Sequence, residues 1–277
     1  MATERKHALL SPSSAHRWLH CTPSAVAESK VEDRGSRYAL EGTLAHAVAE
    51  RELLKMFSRD ASRAEEEIRQ IRVPITGEMM EAVRRYANSV ANLYTEERAK
   101  FPVGATELHV ELPLDLGAYA PGSFGTADAV IVSPRNLMIF DFKYGQGVEV
   151  KAAGNPQMRL YALGALDEFG LERDIRTVTD FICQPRRECL VNAESMTAEE
   201  LLEWGFDYVR PLADVAYRGI GERVCGYWCK FCKVAPMCDR LNPEKAAQRA
   251  RDAARFIRHK TTAESVSDFD GITLTDE

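Results

Sequence analysis

The chain has 277 residues, 45% of them apolar, enough for one sizeable core or a core with a small appended module. A formal charge of −6 excludes a general electrostatic pull on phosphate backbones, so any nucleic-acid contact must come from local basic patches. No uninterrupted apolar stretch reaches the length of a membrane helix, and the amino terminus lacks the layout of a signal peptide, so the expected location is the cytoplasm.

Ser11-Pro12 predicts a helix through Trp18 to about Cys21, with Ser as cap and Pro at the first helical position. A break at Gly35 to Gly42 precedes an Ala- and Leu-rich helix from Glu41 to Phe57, with Leu44, Val48 and Leu53 near one face and His46 inside it. Met80, Val83, Tyr86, Val90 and Leu93 mark a second long helix from Thr76 to Lys100. Three strands follow, Glu107 to Leu114, Gly125 to Val132 and Asn136 to Phe142, with turn residues at the breaks. Pro156 opens a helix to about Phe169, and Val178 to Cys183 is a fourth strand. Thr197-Ala-Glu-Glu200 is a capping box before a helix towards Tyr217. A cysteine-rich loop, a charged helix from about Pro243 to His259 and a polar, acidic tail complete the chain. The order predicts an α/β fold with a central mixed sheet flanked by helices.

The run Leu137-Met-Ile-Phe-Asp141-Phe-Lys143 reads as a buried strand, yet it ends in a carboxylate and an ammonium two residues apart, on one face of the strand. Burying such charges costs several kcal/mol unless compensated, and a bound cation compensates. The preceding strand carries a second acid in Gly125-Thr-Ala-Asp128, so two strands can present two carboxylates to one spot. The alternative is a structural Asp–Lys pair beside a turn aspartate. Cys229-Lys-Phe-Cys232 and Cys238 form C-x2-C-x5-C, a spacing that suits a soft metal in a reducing compartment. On spacing alone the fourth ligand is Cys225 or Cys21, and zinc or iron is equally admissible. Cys183 and Cys189 read as plain thiols.

Taken in order, Glu41-Gly-Thr-Leu-Ala-His46, Gly-Thr-Ala-Asp128, Asp141-Phe-Lys143 and Gln157-Met-Arg-Leu-Tyr161 resemble the motifs of the RecB-like branch of the PD-(D/E)XK nuclease superfamily. The chain is most similar to phage-encoded proteins of an uncharacterised RecB-like family of the DUF2800 type, related to the Cas4 and AddB nuclease domains. The resemblance implies a restriction-endonuclease-like core at about 41–190 within a single domain 1–260, before a tail at 261–277. It implies a divalent cation, Mg²⁺ or Mn²⁺, on His46, Asp128, Asp141 and the backbone carbonyl of Phe142. Lys143 would orient the attacking water or neutralise developing charge, and Gln157 and Tyr161 would complete the catalytic set, near the DNA.

Ser11 to Pro23 is similar to the amino-terminal segment of Cas4- and AddB-like nucleases, where one such cysteine joins three from the carboxyl end around a [4Fe–4S] cluster. By that resemblance Cys21, Cys229, Cys232 and Cys238 hold the cluster, stapling segments 11–25 and 221–240. The implied activity is DNA phosphodiester hydrolysis, exonucleolytic on ends or single strands, in phage recombination or replication within a bacterial host and with the phage's own proteins as further partners. Arg17, Lys151, Arg159, Arg186 and Arg187 are candidates for the DNA path. The competing reading is a non-catalytic nucleic-acid-binding or assembly protein with a structural zinc site on Cys225, Cys229, Cys232 and Cys238.

Overall fold

The computed structural model describes residues 8–32, 35–187 and 191–254, and these divide into two compact units that meet in sequence between Glu222 and Arg223. The first unit is built on a five-stranded mixed sheet in the order β1-β2-β3-β4-β5: Glu107–Asp115, Phe124–Val132, Asn136–Phe142, Thr177–Cys183 and Val191–Thr197. β1, β2 and β3 are antiparallel neighbours, β3 and β4 run parallel, and β5 returns antiparallel to β4. The parallel step requires a crossover, supplied by helix α6 (Pro156–Phe169).

Two apolar layers sandwich the sheet. On one face α6 buries Met158, Leu160 and Leu163 against Leu137, Ile139, Val178 and Ile182. The short helices α1 (Ala15–Trp18) and α2 (Ser24–Glu28) join that layer, as do α7 (Ala198–Glu203) and α8 (Arg210–Tyr217). On the other face α3 (Arg37–Met56) and α5 (Gly77–Arg98) pack Leu44, Val48, Leu53, Val83, Tyr86 and Val90 against Ile131, Phe140 and Phe142. Each fully buried aliphatic or aromatic side chain contributes roughly 1.5–3 kcal/mol over its exposed state, which fixes both layers on the sheet.

The observed elements correct several expectations. Gly42 lies inside α3, because Ser36 accepts the Ala39 amide at 3.1 Å and starts the helix five residues before Gly42 is reached. Ser11 makes no cap hydrogen bond, and the first helix is a 3₁₀ turn, Pro12–Ser14, running into α1. The helix towards Tyr217 is interrupted by a π-helical stretch, Trp204–Val209, directly before Pro211, which has no amide to continue the regular ladder. Helices α2 and α4 (Ser62–Gln70) and strand β5 are additions. In the second unit, two 3₁₀ turns, Tyr227–Phe231 and Ala235–Met237, carry the cysteine loop, and residues 243–254 are helical. Cys189, the end of the predicted helix at His259 and the tail 261–277 lie outside the described residues. No helix among the described residues is long and apolar enough to cross a membrane.

Candidate metal centre

Three side chains from three elements meet at one point. His46 from α3, Glu111 from β1 and Asp128 from β2 place one ligand atom each within 4.8 Å of one another. His46 Nδ1 and Asp128 Oδ1 are 3.0 Å apart, and the imidazole packs against Phe142 with ring centroids 5.5 Å apart. The β2–β3 ladder ends at Ala129 and Phe140. Beyond it the Phe142 amide donates to Asp128 Oδ2 at 2.6 Å, so this carboxylate takes over a backbone donor that the ladder has released.

Glu111 is the residue that sequence reasoning missed. It stands opposite Asp128 at the position the β1–β2 ladder skips, between the pairs Val110 with Ala129 and Leu112 with Ala127. Its φ of +50° lies in the left-handed region, where a non-glycine residue costs on the order of 1–3 kcal/mol. Along β1 it alternates with Leu108, Val110 and Leu112 and so reads as one of the polar positions of a half-buried strand. Only the register opposite Asp128 would have singled it out.

A second cluster adjoins the first. Lys143 Nζ donates to Asp141 Oδ1 at 3.1 Å and to Gln157 Oε1 at 3.2 Å, while Gln157 Nε2 donates to Asp141 Oδ1 at 2.9 Å. Gln157 Nε2 also lies 3.4 Å from the Tyr161 hydroxyl. Asp141 Oδ2 is buried 2.9 Å from Lys143 Nζ but outside hydrogen-bonding geometry. Gly125 explains the glycine of its motif by packing: a Cβ there would stand 2.7 Å from Tyr161 Cε1. The segment joining Lys143 to Gln157 is pinned by side chains of the β4–β5 region. Gln184 bonds Gly145 O, Val148 O and the Val150 amide, Asn192 takes the Ala152 amide, and Glu194 the Gly154 amide. The Asn155 side chain then caps α6, which fixes the position of Gln157.

The charges are coupled. Burial works to lower the His46 pKa, but the Asp128 carboxylate overrides it and pushes the imidazole up to about 9. Burial and the nearby Asp128 charge push Glu111 up to about 8, against the pull of His46. Asp128 is itself held low: burial opposes ionisation, but His46, the Phe142 amide and Lys143 favour it. Asp141 is raised by burial, with Lys143 working the other way. At neutral pH the first cluster rests as an imidazolium–carboxylate pair beside a protonated Glu111, two protons standing where a divalent cation would supply the same charge. An imidazole and oxygen donors fit Mg²⁺ or Mn²⁺, and the unbonded buried Oδ2 of Asp141 is a further oxygen in keeping with such an ion.

Of the predicted site residues, His46 and Asp128 come together, and Asp141, Lys143, Gln157 and Tyr161 form the adjoining network. Phe142 is engaged through its amide. Arg17 is paired with Glu28 at 2.6 Å and Arg159 with Glu194 at 3.0 Å, so both serve structural ion pairs. The described cysteines form no disulfide. Cys21 belongs to the first unit, while Cys229, Cys232 and Cys238 lie in the turns of the second, where the Gly226 amide donates to Cys229 Sγ at 3.5 Å. Cys225 lies within hydrogen-bonding reach of Cys229 and within electrostatic reach of Cys238.

Residues 7–273 match the family described as "Protein of unknown function (DUF2800)", and the chain belongs to that family. Among solved structures, SSO0001 is 13% identical over 81% of this chain and 96% of its own, with a TM-score of 0.31. A Eubacterium rectale protein named as a candidate exonuclease is 11% identical over 81% and 86%, with a TM-score of 0.41. LHK-Exo, solved in complex with dAMP, is 12% identical over 65% and 94%, with a TM-score of 0.27. These overlaps are loose, and the α/β description rests on the sheet itself.

Proposed function

We propose that the protein is a divalent-cation-dependent DNA nuclease of the RecB-like PD-(D/E)XK type. The observation that carries this reading is the meeting of His46, Glu111 and Asp128 directly beside the Asp141–Lys143 pair. A Mg²⁺ or Mn²⁺ ion held by His46, Asp128 and Asp141, with Glu111 and the Phe142 carbonyl as further oxygens, would supply an acidified water and a counter-charge for the phosphate. Lys143, held by Asp141 and Gln157, would donate a hydrogen bond from its ammonium to the attacking water or to a phosphate oxygen. Gln157 keeps that ammonium from swinging away, and Tyr161 closes the α6 side. Exonucleolytic action in phage recombination or replication, and a [4Fe–4S] cluster on Cys21, Cys229, Cys232 and Cys238, belong to the same reading and rest on the motif resemblance.

The test is cleavage of single-stranded and linear duplex DNA in Mn²⁺, with Asp141→Ala and Lys143→Ala beside the wild type. Degradation by the wild type alone supports the reading, and equal behaviour of all three ends it. Iron, sulfide and zinc analysis of the purified protein, with its visible absorbance, decides between the cluster and a zinc site.

A further inference from the structure

A cleft of about 780 Å³ lies between the first turns of α5, the segment after β3 and the turn after β4. Its volume suits a nucleotide-sized ligand. Side chains link its wall to the strand that carries Asp141: Arg186 stacks on the Tyr144 ring at 4.4 Å, and Tyr144 in turn packs against Phe142 with ring centroids 6.3 Å apart.

The walls carry Arg85, Arg186 and Arg187 against Glu78, Glu81 and Glu149. Arg85 and Glu81 are a closed pair at 2.5 Å. Arg187 has no carboxylate partner among the described residues, and its guanidinium donates to the Gln146 carbonyl at 2.7 Å. Arg186 is largely covered, with its side chain 18% exposed, and the aromatic stack holds its plane. Its Nε and Nη2 reach Glu78 Oε1 at 2.9 and 2.8 Å, and Gln146 Nε2 reaches the same oxygen at 3.0 Å. Donors from two segments thus converge on one carboxylate oxygen, which is how a protein holds an anion. The carboxylate itself is the loose partner: the Glu78 side chain is 57% exposed and can leave by a change of rotamer. A phosphate brings more acceptor oxygens to the same planar fork.

We propose that this cleft is a second phosphate subsite, in which Arg186 and Arg187 hold a backbone phosphate of the DNA strand next to the one at the cation centre. Glu78 occupies the anion position when no strand is bound and is displaced by it. This inference rests on the nuclease reading, which fixes where the scissile phosphate lies.

The test is fluorescence anisotropy of a labelled single-stranded oligonucleotide with the full chain, in Ca²⁺ to suppress cleavage, across a salt series. Arg187→Ala and Arg186→Ala should each weaken binding about tenfold and flatten the slope of log affinity against log salt by about one. Arg135→Ala, on the exposed turn between β2 and β3, should stay within about twofold, as a measure of generic charge loss. Glu78→Ala should tighten binding roughly threefold or more. Wild-type affinity and slope in Arg187→Ala, a loss no larger than in Arg135→Ala, unaltered binding in Glu78→Ala, or no strand binding by the wild type each overturn the proposal. If Arg187→Ala binds normally while the wild type cuts DNA in Mn²⁺, the cleft fails and the nuclease reading stands. If the arginine variants lose affinity but the wild type does not cut, the strand-binding cleft stands and the catalytic reading falls.

Discussion

At the α6 end of the site the Asp141 carboxylate lies against Lys143 and Gln157, while at the α3 end Asp128 and Glu111 share a single imidazole. The first carboxylate has a resident cation from the chain. The other two acids have one imidazole between them: it pairs with Asp128, which is held low and pushes His46 up to about 9, and Glu111 is left over and pushed up to about 8. A site that gathers more carboxylates than its own bases can neutralise holds protons until an ion replaces them. On the proposed reading the Lys143 end is preorganised without metal, and the His46 end would be completed by it.

Asp128→Ala should have the largest effect, because it removes the partner of His46 and the acceptor of the Phe142 amide together. Cleavage in Mn²⁺ should fall on the order of 10³-fold, and calorimetry should show Mn²⁺ binding abolished. Retention of both would mean that the ion sits elsewhere. Lys143→Ala tests the other end: single-turnover cleavage should drop about 10²-fold, while Mn²⁺ affinity changes only a few-fold, since no ligand is lost. A parallel collapse of metal affinity would erase the distinction between the two ends. Glu111→Gln should weaken Mn²⁺ binding about 10- to 100-fold and leave the metal-free protein as stable as the wild type at neutral pH, because the glutamine replaces an acid that is already protonated there. Unchanged Mn²⁺ affinity would reduce Glu111 to a bystander.

How much of this was legible in the sequence depended on whether the signal was local. The bounds of α6 could be read because Asn155 and Pro156 are a cap and a first-turn proline, and the capping box at Thr197 formed as written. Four of the five strands followed from β-branched runs between turn residues, whereas the parallel pairing of β3 with β4 emerged only from the fold. β5 was missed because Asn192, Glu194 and Ser195 look like a loop, although they belong to an edge strand whose polar side chains hold the segment after Lys143. α4 was missed because its sequence, SRAEEEIRQ, is polar nearly throughout and buries Ala64 alone. In the site, His46 and Asp128 were found through ordered motifs. Glu111 was not, since its role comes from a register across two strands and a left-handed backbone that no local pattern encodes.

Asp180 supplies the control for both ends of the site. It lies on β4, one strand over from Asp141, with both carboxylate oxygens buried and without a hydrogen-bond partner, and it has neither lysine nor imidazole beside it. Burial, reinforced by the Glu194 charge and only partly offset by Arg159, pushes its pKa up to about 8. In the unfolded chain the same group ionises near the ordinary value of 3.8. Between about 4 and 8 the folded state therefore holds a proton that the unfolded state has lost, and stability falls as pH rises through that window, by at most about 1.4 kcal/mol per pH unit. Asp180→Leu, close in shape and without charge, should remove this dependence: urea unfolding at pH 5 and pH 8 should show the variant gaining on the wild type as pH rises, with DNA cleavage changed less than about twofold. A constant difference between the two proteins across that range would mean that Asp180 stays ionised. The contrast between chain-neutralised and proton-neutralised carboxylates would then lose its simplest case.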